Sequence, residues 1–275
     1  MPDDELLVEI LECENDTCIG HITLNSPETL NSLTLNMVNE MSLLLDKWEV
    51  DPNIKMVILS GSDEKAFCAG GDIRALYESM CSRKGPIFAE KFFESEYRLD
   101  YKMHRYSKPI ISILDGIVMG GGAGLMFASS YKIATERTRF AMPEIGVGLF
   151  PDVGFTSIIK MLPKGLGLYM MLTSTQLTAF DTIFCGLTNA SINSKDIERF
   201  LVDLTKEVWH DDPEENLSII DSLVNNHSYT NKIKDLPVSK IMKELDNIQS
   251  LTNEQELSKV CANILLNPTD DDWYL

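Results

Sequence analysis

Basic residues are scarce in this chain. Its 275 residues hold 24 Lys and Arg against 42 Asp and Glu, for a formal charge of −18. A surface of that sign repels a phosphate backbone, which excludes a protein that coats nucleic acid. An anionic small molecule would still need a local cationic patch. Long apolar runs are missing too, since no stretch of 18 apolar residues offers a membrane span. The six cysteines, Cys13, Cys18, Cys68, Cys81, Cys185 and Cys261, form no C-x-x-C pair and no zinc spacing with the four histidines. Reduced thiols in an intracellular compartment are therefore expected, with no metal site. Neither the G-x-x-x-x-G-K-[ST] phosphate loop nor the G-x-S-x-G turn of a serine hydrolase occurs. The N-terminal Met1-Pro2-Asp3-Asp4-Glu5 is acidic, unlike a secretory or organelle-import signal.

What remains is an ordinary globular composition, 44% hydrophobic and 24% charged, on a chain long enough for a large core. Leu6–Leu11 and Cys18–Leu24 predict a β-hairpin, and Thr34 can cap a helix running to Trp48. Met56–Leu59 and Pro109–Leu114 read as short buried strands, and helices are expected near 72–80, 86–106 and 121–129. Strands near 131–135 and 139–142 follow, then helices near 154–162, 165–173 and 179–185 and a strand at Leu187–Asn189. This alternation is α/β, without choosing between a spiral and a doubly wound sheet. Residues 191–275 carry 8 basic and 17 acidic residues and read as polar helices separated by Pro213, Pro237 and Pro268. The expected division is a core over 1–190 and an acidic helical region over 191–275.

Two glycine-rich stretches carry the chemistry: Phe67-Cys68-Ala69-Gly70-Gly71-Asp72 and Met119-Gly120-Gly121-Gly122-Ala123-Gly124. Glycine lets backbone N–H groups approach a ligand closely, and two such amides can hold developing negative charge on an oxygen. On the residues alone, a tight turn explains the glycines equally well. Glu144 and Asp152 share a loop dense in Gly and Pro, which can fold both carboxylates toward one cleft or leave both exposed. Their apolar neighbours Met142, Ile145, Val147, Leu149 and Phe150 suggest a setting that raises a carboxyl pKa. In the helix near 87–106, Phe92, Leu99, Met103 and Tyr106 form one apolar stripe, and Glu96 stands on it. An inward carboxylate needs a partner or a function. Lys91, Arg98, Lys102 and Arg105 occupy a neighbouring face, by default a solvated one. Cys68, with no histidine nearby in sequence, reads as a small loop residue rather than a nucleophile.

Lys65–Arg74 and Gly120–Leu125 resemble the two signatures of the crotonase (enoyl-CoA hydratase/isomerase) superfamily. Glu144 in Met142-Pro143-Glu144 and Asp152 in Phe150-Pro151-Asp152 narrow the likeness to its 3-hydroxyisobutyryl-CoA hydrolase branch. Leu24-Asn25-Ser26-Pro27, Asn31-Ser32-Leu33-Thr34 and Phe92–Leu99 are similar to that branch too. The resemblance covers about residues 6 to 190. It implies a spiral of ββα units with a helical C-terminal region, here shortened. It also implies an acyl-CoA substrate, with coenzyme A as part of the substrate and no separate cofactor. Gly71 and Gly121 would form an oxyanion hole, Glu144 and Asp152 would be the catalytic pair, and Glu96 would contact substrate. Ala69 and Arg74 would serve the nucleotide end of coenzyme A.

Hydratases of the superfamily carry a glutamate where this chain has Gly124, so thioester hydrolysis is the expected reaction. A hydratase or isomerase, or a catalytically weak binding or assembly member, are the alternatives. Phe155 stands where the branch has another glycine and would narrow the acyl pocket. The short C-terminus would leave an edge for another chain to cover, as in a homo-oligomer. For a eukaryotic source the implied compartment is the mitochondrial matrix, although no transit peptide is visible.

Overall fold

The computed structural model describes residues 4–81, 85–226 and 239–267. Strands β1 (Leu6–Glu12) and β2 (Cys18–Leu24) form the expected antiparallel hairpin, with Leu6 opposite Leu24. Helix α1 (Leu35–Val50) starts at Thr34, whose hydroxyl accepts from the Met37 amide. Such a cap satisfies one of the donors that a helix start leaves free. Met37, Val38, Met41, Leu45 and Trp48 form its buried face.

From here the chain repeats one unit: a strand in a large sheet, a strand in a small one, then helix. The first turn is β3 (Ile54–Gly61), β4 (Ala66–Cys68), α2 (Ile73–Met80) and α3 (Gly85–His104). The second is β5 (Ile110–Leu114), β6 (Ile117–Met119) and α4 (Gly121–Ala128). The third is β7 (Tyr131–Thr135) and β8 (Arg139–Ala141), followed by α5 (Phe155–Ile158) and α6 (Leu166–Thr173). Then come β9 (Leu177–Thr178), α7 (Ala179–Phe184), β10 (Ala190–Ile192), α8 (Ile197–Leu204), α9 (Pro213–Asn226), α10 (Lys240–Thr252) and α11 (Leu257–Leu266).

The large sheet has the order β1-β2-β3-β5-β7-β10 and is parallel from β2 onward. The small sheet has the order β4-β6-β8-β9 and is parallel from β4 to β8. This is the expected spiral of ββα units. Within its second layer the strand near 139–142 was expected from the residues, but β4 and β6 were not, because strands so short lie inside stretches that read as glycine loops. The strand expected at Leu187–Asn189 lies three residues later as β10. The amides of Leu187 and Thr188 still bond the Thr182 carbonyl and close α7, so pairing with β7 begins at Ala190. Helix α5 ends at Ile158, short of the expected residue 162.

One apolar cluster fills the space between the sheets and α1, α3, α4, α6, α10 and α11, with Phe67, Phe92, Phe140 and Phe155 fully or nearly fully buried. A second covers the far face of the large sheet, where Phe200, Leu204, Trp209, Ile220 and Val224 of the α8–α9 segment meet Ile19, Met56, Ile111 and Ile133. Residues past 190 thus contribute to both clusters. Pro213 opens α9, whereas Pro237 and Pro268 lie outside the described residues.

The junction of β2 with α1 is closely packed. A Cβ on Gly20 would stand 2.6 Å from Cε3 and Cζ3 of the buried Trp48 ring. Gly20→Ala should therefore cost about 1–3 kcal/mol of stability, the usual range for overpacking a core. Chemical denaturation checks this, and a midpoint equal to that of the parent would refute the packing argument.

Candidate active site

Three elements converge on the end of the small sheet. Asp72 caps α2 by accepting from the Ala75 amide, which fixes the turn of Gly70 and Gly71 just before it. Leu33 bridges this turn: its amide donates to the Gly70 carbonyl at 2.8 Å, and its carbonyl accepts from the Asp72 amide at 2.9 Å. Those bonds use the groups flanking Gly71, so the Gly71 N–H faces the other way. The second turn follows β6, and Gly121 is the first residue of α4. An amide there has no partner within its own helix and sits at the positive end of the helix dipole.

The two turns touch. Gly70 has a φ of 109° and Gly120 a φ of 50°, left-handed values that glycine adopts without strain. A Cβ on Gly70 would lie 3.5 Å from the Gly121 nitrogen. A cavity of about 130 Å³ opens beside them, lined by Gly71, Gly121, Ala69, Glu96, Glu144 and Asp152 among others. Six of the seven expected site residues therefore share one space. Arg74 does not. It is exposed on α2 and pairs with Glu78 at 3.1 Å, away from the cavity lining.

Glu96 lies on the buried stripe of α3 with Phe92, Leu99 and Met103, as the periodicity predicts. Its Oε1 would stand 2.1 Å from a Cβ on Gly121 and 4.0 Å from one on Gly71. A side chain at either position would intrude on the carboxyl group. Among the described residues Glu96 Oε1 has no hydrogen-bond partner, and neither oxygen of Glu144 has one. Glu144 opens a 3-10 turn after Pro143, and a Cβ on Gly120 would lie 3.5 Å from its Oε1. Its expected apolar surroundings are only partly present: Met142 is buried, but Ile145, Val147, Leu149 and Phe150 are exposed.

Four acids gather here without a cation paired to them among the described residues. Burial, eased by the nearness of its own backbone N–H and reinforced by the charge of Asp152, raises the Glu144 carboxyl to about 7. Burial and then the charges of Asp100, Asp152 and Glu144 push Glu96 well above the usual carboxylate range. The Tyr97 hydroxyl donates to Asp152 Oδ2. Burial and that bond hold the phenol pKa up, so Tyr97 stays a donor. No group of three or more His, Cys, Asp or Glu side chains among the described residues is arranged to hold a metal ion.

Asp100 was not expected from the sequence. It stands one turn beyond Glu96, with both oxygens shielded and unpartnered. Burial first, and the charge of Asp152 second, raise it to about 8. Asp100 and Asp152 both border a larger cavity of about 660 Å³. The signal was present, since Glu96 and Asp100 are like charges at i and i+4, an unfavourable pair on an ordinary helix surface. One other expectation changes, for Phe155, while that for Cys68 as a non-nucleophile agrees with its burial. Phe155 is fully buried, stacks on Phe127 and lines neither cavity, so it narrows neither of them. Cys68 is buried with its thiol raised to about 12, a poor nucleophile. On the basic face of α3, Lys102 bonds Ser42 and pairs with Asp46, while Arg98 pairs with Glu94.

Residues 19–275 match the family described as enoyl-CoA hydratase/isomerase. The chain belongs to the enoyl-CoA hydratase/isomerase family. It is 44% identical over 185 residues to the mitochondrial 3-hydroxyisobutyryl-CoA hydrolase of Danio rerio, covering 67% of this chain and 48% of that one. The Homo sapiens protein of the same name is 36% identical, covering 91% and 63%; the probable 3-hydroxyisobutyryl-CoA hydrolase 3 of Arabidopsis thaliana is also 36% identical, covering 95% and 67%. The chain thus spans about half to two thirds of the length of these curated relatives. Among solved structures, a carnitinyl-CoA dehydratase from Mycobacterium thermoresistibile superposes with a TM-score of 0.81 at 30% identity, covering 98% of this chain and 72% of that one. No helix among the described residues of this family member is long and apolar enough to cross a membrane.

The acid cluster makes stability depend on pH with a definite sign. Asp100 holds its proton in the fold to about pH 8 and releases it near 4 when unfolded, so between these values the native state binds more protons. Stability from this group therefore falls as pH rises through that window. Asp100→Asn should flatten the fall, raising the melting temperature more at pH 8 than at pH 5. A variant with the parent's pH dependence would refute the burial of that charge.

Proposed function

We propose that this chain hydrolyses the thioester of a 3-hydroxyacyl-CoA, with 3-hydroxyisobutyryl-CoA, the substrate named in its relatives, as the leading candidate. That substrate would place the protein in valine breakdown. The observation that carries the reading is Glu144, with two unpartnered carboxyl oxygens beside the paired glycine turns. Under it, the thioester carbonyl oxygen takes the Gly71 and Gly121 amides, which strengthen their hold as charge develops. As a general base, Glu144 removes a proton from water as the water oxygen bonds to the carbonyl carbon. As a nucleophile, it bonds to that carbon itself, and water then opens the mixed anhydride. In both routes the C–S bond breaks and coenzyme A departs with the electron pair. A thiol pKa of roughly 8.5 makes that departure easy without a strong acid.

Asp152, held by Tyr97, would accept a hydrogen bond from the substrate's 3-hydroxyl and assist proton transfer. Glu96 would contact the acyl group near the oxyanion site, and Ala69 the adenine end. Arg74 reaches a coenzyme A phosphate, under this reading, only by leaving Glu78. The reaction so read uses no metal or redox cofactor. Several relatives are named mitochondrial, and for a eukaryotic source we extend that compartment to this chain.

A hydratase is the second reading, favoured by the names of the structural neighbours. It requires a second carboxylate where Gly124 stands. Following free thiol and the conjugated double bond with 3-hydroxyisobutyryl-CoA and crotonyl-CoA separates the two. We expect thiol release from the former, reduced at least about a hundredfold by Glu144→Gln, a loss typical of removing a general base. Loss of the double bond without thiol release would sink the hydrolase reading. Both routes need Glu144 ionised, so kcat/KM should rise with pH through an ionisation near 7. A profile flat from pH 5.5 to 8 would contradict that role.

A further inference from the structure

Asp100 lies at the edge of the larger cavity with neither carboxyl oxygen bonded among the described residues. A shielded acid without a partner is costly to fold around. Two features give it a place and an orientation. A Cβ on Gly124 would stand 2.8 Å from Asp100 Oδ2 and 3.0 Å from Oδ1, so position 124 must lack a side chain for the acid to sit there. Asp152 borders the same cavity, and its carboxylate accepts from Tyr97. Asp152 also lines the smaller cavity beside the glycine turns, so it spans the two spaces.

The acids differ in what they offer a ligand. Asp152 is an acceptor already oriented by a phenol donor. Asp100, raised to about 8, keeps its proton at neutral pH and presents an O–H donor and an accepting oxygen. An alcohol both donates and accepts, so its O–H can donate to Asp152 while its oxygen accepts from Asp100. A methyl or hydrogen in the same place leaves Asp100 without a partner.

We propose that Asp100 is a specificity-determining residue that binds, together with Asp152, the hydroxyl of a 3-hydroxyacyl chain. The proposal rests on the reading of the chain as a 3-hydroxyacyl-CoA enzyme, and it extends that reading to a residue on another element. Gly124 and Asp100 form one device under it: the glycine on α4 clears the space, and the acid on α3 fills it.

The test is binding, which separates this proposal from the role of Glu144 in hydrolysis. On a Glu144→Gln background, calorimetry measures the affinities for 3-hydroxyisobutyryl-CoA and isobutyryl-CoA. The hydroxylated ligand should be favoured roughly tenfold or more, as expected when buried polar groups would otherwise stay unpaired. Adding Asp100→Leu should erase the preference by weakening only the hydroxylated ligand. Asp100→Asn, whose amide donates and accepts, should keep the preference within about threefold of the background. Circular dichroism melting establishes that each variant is folded, and Asp100→Ala decides where the leucine variant does not fold. A preference untouched by Asp100→Leu, or a loss shared equally by both ligands, overturns the proposal. Equal affinities in the background also overturn it, while thioester hydrolysis can stand. Binding of neither ligand removes the acyl-CoA reading itself.

Discussion

The close approach of two backbone turns underlies everything else in this molecule. Gly70 and Gly120 meet in van der Waals contact at positive φ values that glycine adopts without strain, and α3 then lays Phe92 over Gly71 and the Glu96 carboxyl over Gly121, where no side chain would fit. That approach is possible because β4 and β6 pair in parallel and end at the same level of the small sheet. Ridges of large side chains could not produce it. The geometry of the glycine turns is thus a property of main chain held by sheet pairing, and the variable part of the site is the set of carboxyl groups placed around it.

Those carboxyl groups explain the electrostatics. Glu96, Asp100, Glu144 and Asp152 border two cavities that share Asp152, with no paired cation among the described residues, so burial and neighbouring acids raise Glu144 to about 7 and Asp100 to about 8 and push Glu96 well above the usual carboxylate range. A raised carboxyl pKa costs folding stability at physiological pH, since the group either stays protonated or is ionised in poor solvent. Proteins keep such groups where an acid or base working near pH 7 is needed. The chain's net charge of −18 does not create this cluster but offers it no relief.

Much of this was legible because it is local. The Thr34 cap, the amphipathic pattern of α3 and the inward Glu96 all follow from spacing within one helix, and the glycine turns announce themselves by composition. The second sheet was hidden because β4 and β6 are three residues each and are stabilised by partners about fifty residues away, a pairing no local pattern encodes. Phe155 was misread for a related reason. Its place in the sequence suggested the acyl pocket, but its contacts with Phe127 across elements put the ring in the core. Arg74 sits at the right place in the motif, yet its side chain lies along α2 against Glu78. Sequence located the turn and could not orient the side chain leaving it.

Asp100 shows the limit most clearly, and it also says how such a site can change. Read alone, an acid four residues after another acid on a helix is a mild flaw; read with Gly124, it is half of a complementary pair spread over two elements. A side chain at 124 would compete with Asp100 for one volume, so the site admits a carboxyl group from α4 or from α3 but not both. Moving the acid between these helices shifts it relative to the Gly71 and Gly121 amides while leaving the backbone turns alone. A reaction that adds water across a double bond and one that cleaves a thioester can therefore share the same glycine geometry. Under the proposed hydrolysis the catalytic pair remains Glu144 and Asp152 of the loop after β8, and the acid on α3 selects the acyl chain.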